Sequence, residues 1–201
     1  KFKPNEQVID RHSNTCELYF LVQGRARVVN YSLTGREVTF DDREAGDYFG
    51  ELAALDGKPR SANVVALEDI TVATLSQNDF NKLLLTYPEV TVKILRGLAK
   101  IVRVSNNRIM DLSTLGANNR VHAEILRLAK PGISDDNTAR ISPFPIHSDI
   151  ASRVSTTRET VNRVFSDLSR KSIVKRSKND LVVLDVNRLT KMIEQVRGES
   201  D

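Results

Sequence analysis

The sequence predicts an α+β chain in three consecutive parts: a β jelly roll or small barrel, one long helix, and a winged helix-turn-helix. Three observations predict it. Up to about residue 78, short β-rich runs follow one another between glycine turns. Residues 88–115 bring back apolar side chains at Leu95, Leu98, Val102, Ile109 and Leu112, in steps of three and four on either side of Ser105. Residues 146–184 read as two short helices across a three-residue turn, then a strand, a basic turn and a strand. The expected parts are therefore residues 1–87, 88–115 and 116–201.

Composition bounds the function. At 201 residues, 40% hydrophobic and 28% charged, the chain has room for two small domains of ordinary globular character. No apolar run nears the ~20 residues that cross a bilayer, and KFKPNEQVID has no signal-peptide core. A single cysteine, Cys16, excludes an internal disulfide, so the expected compartment is the cytoplasm. The net charge of +4 is modest but uneven. Basic residues crowd the stretch after residue 108, whereas residues 37–56 are acidic, which points to a nucleic-acid partner for one half only.

In the first part, residues 17–29 (ELYFLVQGRARVV) are rich in β-branched and aromatic residues with a turn at Gly24. Thr34-Gly35 sets off residues 36–40 in hairpin fashion, Ala45-Gly46-Asp47 is a further turn, and residues 61–75 supply two more strands. One segment, residues 49–62 (FGELAALDGKPRSA), is not strand-like. Gly50 permits close backbone approach, Glu51 opens a short helical turn with free N–H groups, and Arg60 offers a fork suited to phosphate oxygens. A carboxylate for a sugar hydroxyl beside a guanidinium for a phosphate makes a nucleotide-shaped pair. Taken singly, each of these residues also suits a surface loop with a salt bridge.

Residues 78–87 switch to helical period, and Pro88 opens the long helix at a first-turn position where its missing N–H does no harm. The apolar stripe is a narrow seam that wants a partner helix. A second copy of the chain supplies one, since a two-fold axis lets a self-complementary stripe meet itself. Ser105 and Asn106 break the seam. They either fix its register or receive a ligand that bonds them.

Past the long helix, residues 116–119 (GANN) read as a hinge and residues 120–130 as an amphipathic helix with Val121, Ile125 and Leu128 on one face. Pro131-Gly132 ends it, and residues 134–138 form a polar loop. Residues 147–154 and 158–171 are the two helices of the helix-turn-helix, the second with Val161, Val164, Phe165 and Leu168 inward and Arg158, Glu159, Asn162 and Arg163 outward. Thr157 can cap that helix and Glu159 suits its dipole. Residues 173–184 complete the wing, and residues 186–196 form an extra helix with no evident role.

Residues 49–62 resemble, without a gap, the phosphate-binding cassette of cyclic-nucleotide-binding domains: Gly-Glu-Leu-Ala, a variable stretch, then Arg-Ser-Ala. The run VSTTRETVNRV resembles the recognition helix of the bacterial Crp/Fnr regulators, and the resemblance extends along the whole chain. It implies that Glu51 takes the ribose 2′-hydroxyl and that Arg60 and Ser61 take the cyclic phosphate. Gly50 to Ala53 would supply backbone N–H groups, with Phe49, Leu52 and Ala62 completing the cassette. Val28 and Phe40 fall where the family lines the base pocket, and Ser105 and Asn106 fall where its long helix meets the base, partly across a homodimer. On DNA, the resemblance gives Arg158 and Glu159 the guanine and cytosine edges, Arg163 a third base contact, and Ser148, Thr156 and Thr157 the phosphates. It leaves the preference of Asn162 open. The implied operator is a TGTGA-like palindrome, and RNA polymerase is the implied further partner.

Two departures bear on the effector. The family's long-helix arginine is Ile101 here, and Asn106 stands for a serine, so its amide can face either an amino group or a carbonyl of a purine. Cyclic AMP is thus favoured over cyclic GMP, with no metal. The family also has a helix before its first strand, and the chain is expected to start after it. Competing classes lack their residues. A lone Cys16 cannot ligate an iron-sulfur cluster. His12, His122 and His147 suit surface or capping roles better than haem ligation, and residues 17–75 hold no histidine for a cupin-like metal enzyme. A regulator with a vestigial pocket is disfavoured by the intact Glu51 and Arg60, and no nucleophile-base pair suggests an enzyme.

Overall fold

The computed structural model describes residues 1–197, so residues 198–201 of the expected last part lie outside the described residues. The chain divides into two compact units, residues 1–101 and residues from 102 onward.

The first unit carries two antiparallel sheets. β1 (Gln7–Ile9), β6 (Asn63–Ala66), β3 (Arg25–Tyr31) and β4 (Glu37–Glu44) form one, in that order. β5 (Tyr48–Phe49), β2 (Leu18–Gln23) and β7 (Thr71–Leu75) form the other. Gly24 is therefore a corner between sheets rather than a hairpin turn. Its φ is +84°, and a Cβ there would sit 2.5 Å from the Asp69 carbonyl oxygen, so only glycine fits. Ile9, Leu21, Ala26, Phe49, Val64 and Ile70 form one buried cluster contributed by both sheets.

The expected β3–β4 hairpin forms, but β4 runs past Phe40 to Glu44. Val28 pairs with Asp41 and Val29 with Thr39, which leaves Phe40 as the extra residue of a β-bulge. α1 (Glu51–Asp56) sits between β5 and β6. α2 (Gln77–Thr86) starts at Ser76, whose hydroxyl accepts from the Asp79 N–H at 3.2 Å.

α3 (Pro88–Thr114) is a single helix of 27 residues. Ile94 packs in a core with Leu18, Ala54 and Phe80, and Leu98 packs against that core. The rest of the expected seam, Leu95, Val102, Ile109 and Leu112, is exposed, as are Ser105 and Asn106.

The interruption after α3 is shorter than expected. Gly116 is the extended N-cap of α4 (Ala117–Ala129), so Asn118 and Asn119 are already helical. The second unit continues with a 3-10 turn (Lys130–Gly132), β8 (Ala139–Ile141), α5 (His147–Arg153), α6 (Arg158–Arg170), β9 (Val174–Ser177), β10 (Asp180–Val183) and α7 (Val186–Arg197). Its sheet has the order β8-β10-β9, so the wing gains a strand that a polar surrounding sequence hides. α7 does have a role. Leu189 is fully buried in the core of this unit, and Ile193 closes over Leu115 and Ala123.

Candidate functional site

In the first unit, the cassette lines a cavity of about 60 Å³. Residues 49–53 and 60–62 form one wall, with Val28, Val64 and Ile9 as the apolar part. Gly50 precedes α1 with φ +81°, and a Cβ there would lie 2.7 Å from Arg60 Nη1 and 3.1 Å from the Glu17 carbonyl oxygen. Glycine is required by the turn and by the guanidinium beside it.

Arg60 is only 3% exposed and is held from several sides. Its Nε donates to Thr15 Oγ1 (3.0 Å) and its Nη1 to the Gly50 carbonyl (3.1 Å). Nη2 donates to the Glu17 carbonyl (3.0 Å) and to Glu17 Oε2 (3.3 Å). The guanidinium also lies 5.6 Å over the Tyr19 ring. The fork expected to face an anion thus has a carboxylate of its own chain on it already.

Glu51 is the opposite case. It is 7% exposed, lines the cavity, and makes no hydrogen bond or ion pair with a described residue. At the cavity wall its carboxylate is an acceptor for a hydroxyl that enters. Burial and then the Glu51 charge push the Tyr48 phenol above its ordinary value, with Arg43 pulling the other way.

Arg43 is a cavity residue that sequence reasoning missed. It follows the bulge on β4, donates to Asp41 Oδ2 at 2.9 Å, and buries an Nε with no partner among the described residues. The signal was a single cation inside the acidic run at 41–44. Phe40, the extra residue of the β4 bulge, is 40% exposed and is not among the residues lining the cavity. Ser61 is exposed at the cavity wall. Ser105 and Asn106 belong to the second unit, and their side chains bond no described residue. The cavity thus gathers one carboxylate, two guanidinium groups that each meet a carboxylate of their own chain, and an apolar wall.

In the second unit, α6 presents Arg158, Glu159, Asn162 and Arg163 to solvent while Val161, Val164, Phe165 and Leu168 are buried. Thr157 caps it, accepting from the Thr160 N–H at 3.2 Å, and Arg163 Nη2 reaches Thr160 Oγ1 at 3.3 Å. Its own backbone N–H and then the Thr157 hydroxyl hold the Glu159 carboxyl below the usual range, so it stands ionised as an acceptor. Ser148 is exposed in the first turn of α5, and Thr156 is half-buried in the turn between the helices. Lys175, Arg176 and Lys178 are exposed on the wing.

Arg120 was not foreseen. Its Nε donates to the Val154 carbonyl (2.8 Å), Nη2 to the Ser155 carbonyl (3.1 Å) and Nη1 to the Leu115 carbonyl (2.9 Å). It ties the helix-turn-helix turn to the residue that follows α3. Among the described residues no group of histidine, cysteine or carboxylate side chains could hold a metal ion, and no helix is long and apolar enough to cross a membrane.

Comparison with known proteins agrees with this geometry. The family model for the cyclic nucleotide-binding domain matches residues 1–87, and that for the Crp-like helix-turn-helix domain matches residues 119–192. A cyclic AMP receptor protein from Thermus thermophilus is 32% identical over 158 residues, 79% of this chain and 70% of that one. A CRP-like cAMP-activated global transcriptional regulator from Mycobacterium tuberculosis is 25% identical over 175 residues, 87% of this chain and 78% of that one. Among solved structures, a CooA mutant from Carboxydothermus hydrogenoformans superposes with a TM-score of 0.85 at 19% identity, over 96% of this chain and 85% of that one. That last likeness is one of fold.

Proposed function

The chain belongs to the Crp/Fnr family of DNA-binding transcription regulators, which are not enzymes, and from there we propose a homodimeric regulator whose hold on DNA is set by a cyclic nucleotide, cyclic AMP ahead of cyclic GMP. The observation that carries the effector half is Glu51, whose side chain bonds no described residue and lines the same cavity as Arg60. The ribose hydroxyl meets Glu51, and the phosphate meets Arg60, Ser61 and the Gly50–Ala53 backbone. The purine lies against Val28 and reaches Ser105 and Asn106 on α3, whose exposed stripe is the dimer seam. Arg158, Glu159 and Arg163 read bases of a TGTGA-like palindrome, with Ser148, Thr156 and Thr157 on phosphates. RNA polymerase is the further partner, and the cytoplasm the compartment.

Glu17 supports a second reading. Its carboxylate already neutralises Arg60, as suits a regulator that answers to another effector or to none. One titration separates the two. Calorimetry of the purified chain should show saturable binding of cyclic AMP, weaker binding of cyclic GMP, and a loss of at least tenfold in Glu51→Gln, since a hydrogen bond to a charged group contributes about 1.5–3 kcal/mol. No heat with either nucleotide, or equal affinity in the variant, would overturn the effector reading.

A further inference from the structure

Two side chains 15 positions apart in sequence meet on the exposed face of the helix-turn-helix. His147, the first residue of α5, is hydrogen-bonded through Nδ1 to Asn162 Oδ1 on α6. The imidazole is not free to turn. It stacks on Phe165 with centroids 4.8 Å apart and planes 10° apart, and Phe144 meets it edge-on at 6.4 Å. Phe144 in turn meets Phe165 edge-on at 5.3 Å.

We propose that His147 is a positioning residue for base recognition: it anchors the Asn162 carbonyl, turns the amide N–H pair outward, and so selects a base with a major-groove acceptor against cytosine. This rests on the reading of α6 as the recognition helix.

The direction of the bond follows from burial. His147 Nε2 is buried with no partner among the described residues. A buried N–H without an acceptor is rarer and costlier than a bare ring lone pair, so the proton sits on Nδ1 and is donated to Asn162 Oδ1. Turning the amide over would set its N–H against the Nδ1 proton. The Nδ2 hydrogens then remain, and they bond no described residue. Asn162 is exposed, four positions after Arg158 and next to Arg163, on the face that meets DNA. A free asparagine offers both ends of its amide and pairs with adenine in bidentate fashion. Held by its oxygen, this one offers donors. Guanine (N7, O6), adenine (N7) and thymine (O4) each present an acceptor in the major groove, whereas cytosine presents the N4 donor.

The test is selection from duplexes randomised over the operator length, using the whole chain with cyclic AMP present. The position at which Asn162→Ala flattens the base preference is the one Asn162 reads. There the natural chain should disfavour cytosine by about fivefold, the worth of one hydrogen bond. His147→Phe keeps the ring stack and removes the donor, so it should lose that discrimination at that position alone and change nothing further in an Asn162→Ala background. Should the phenylalanine variant fail to fold, Asn162→Asp is the second arm. His147 still anchors one carboxylate oxygen, the other faces out as an acceptor, and preference should invert toward cytosine. An unaltered profile in His147→Phe or Asn162→Asp, or no effect of Asn162→Ala at any position, overturns the inference. In those cases Arg158→Ala still shifting its own position would leave the recognition-helix reading standing. A chain that enriches no sequence overturns both.

Discussion

Glu51 and Arg60 are buried ions of opposite sign on one cavity wall, and the fold treats them differently. Arg60 finds Thr15, Glu17 and Gly50 within hydrogen-bond reach, so its charge is met inside the protein. Glu51 bonds no described residue, and its carboxylate faces the cavity as an open acceptor. His122 is a third buried ionisable residue, on α4, with a ring Nδ1 that has no partner among the described residues. Burial first, and then the Lys171 charge, pull its pKa below the ordinary histidine value, against a smaller opposing pull from Asp167. The unfolded chain therefore takes up this proton near pH 6.5, while the folded chain waits for lower pH. Between those values the unfolded state holds more protons, so stability is full above about pH 6.5, falls as pH drops below it, and stops falling once the folded ring is protonated too. Urea unfolding at pH 7.5 and pH 5 should show this loss in the natural chain and a smaller one in His122→Leu. Equal losses would assign the acid sensitivity to other groups.

Among the elements, α4 is the one that joins the end of α3 to the two helices of the helix-turn-helix. Glu124, 1% exposed, is bonded by Arg127 and lies 3.8 Å from Arg153 of α5, while Arg127 also reaches Asp111 of α3 at 3.4 Å. Arg120 adds the three carbonyl bonds at Leu115, Val154 and Ser155. A lysine has one ammonium and no planar fork, so Arg120→Lys should leave part of that set unpaired and cost about 1–3 kcal/mol. A lower urea midpoint with the helix content intact is the expected result, and an unchanged midpoint would mean that water replaces the fork. These links explain what was legible in the sequence. The cassette at 49–62 and the helix-turn-helix were readable because each is one continuous run whose residue types state its geometry. Glu17, Arg43 and Arg120 were not, since sheet register and helix packing bring them to their partners. The exposure of Phe40 was not legible for a similar reason: alternation along β4 says which side chains turn inward only until a bulge inserts one residue, and nothing in the local sequence marks that bulge.

At the scale of the molecule, α3 is shared: its first residues belong to one compact unit and those from Val102 onward to the other. A ligand in the first unit can influence the second only through a difference in its affinity for two states of the chain, however tightly it binds either. On the proposed reading, most of the binding energy comes from Glu51, Arg60 and the cassette backbone, which belong to the first unit alone. Ser105 and Asn106 belong to the second. Contacts confined to the first unit would strengthen binding in both states alike, whereas a bond from the purine to Ser105 exists only in the state that brings α3 to the ligand. Ser105→Ala should therefore weaken nucleotide binding by no more than about fivefold, the worth of one neutral hydrogen bond. It should reduce by a larger factor the ratio of operator affinities with and without nucleotide. Calorimetry gives the first quantity and fluorescence anisotropy on a palindromic duplex at fixed salt the second, because salt alone shifts DNA affinity by orders of magnitude. Losses of equal size in the two measurements would make Ser105 an ordinary contact, and place the switch elsewhere on α3.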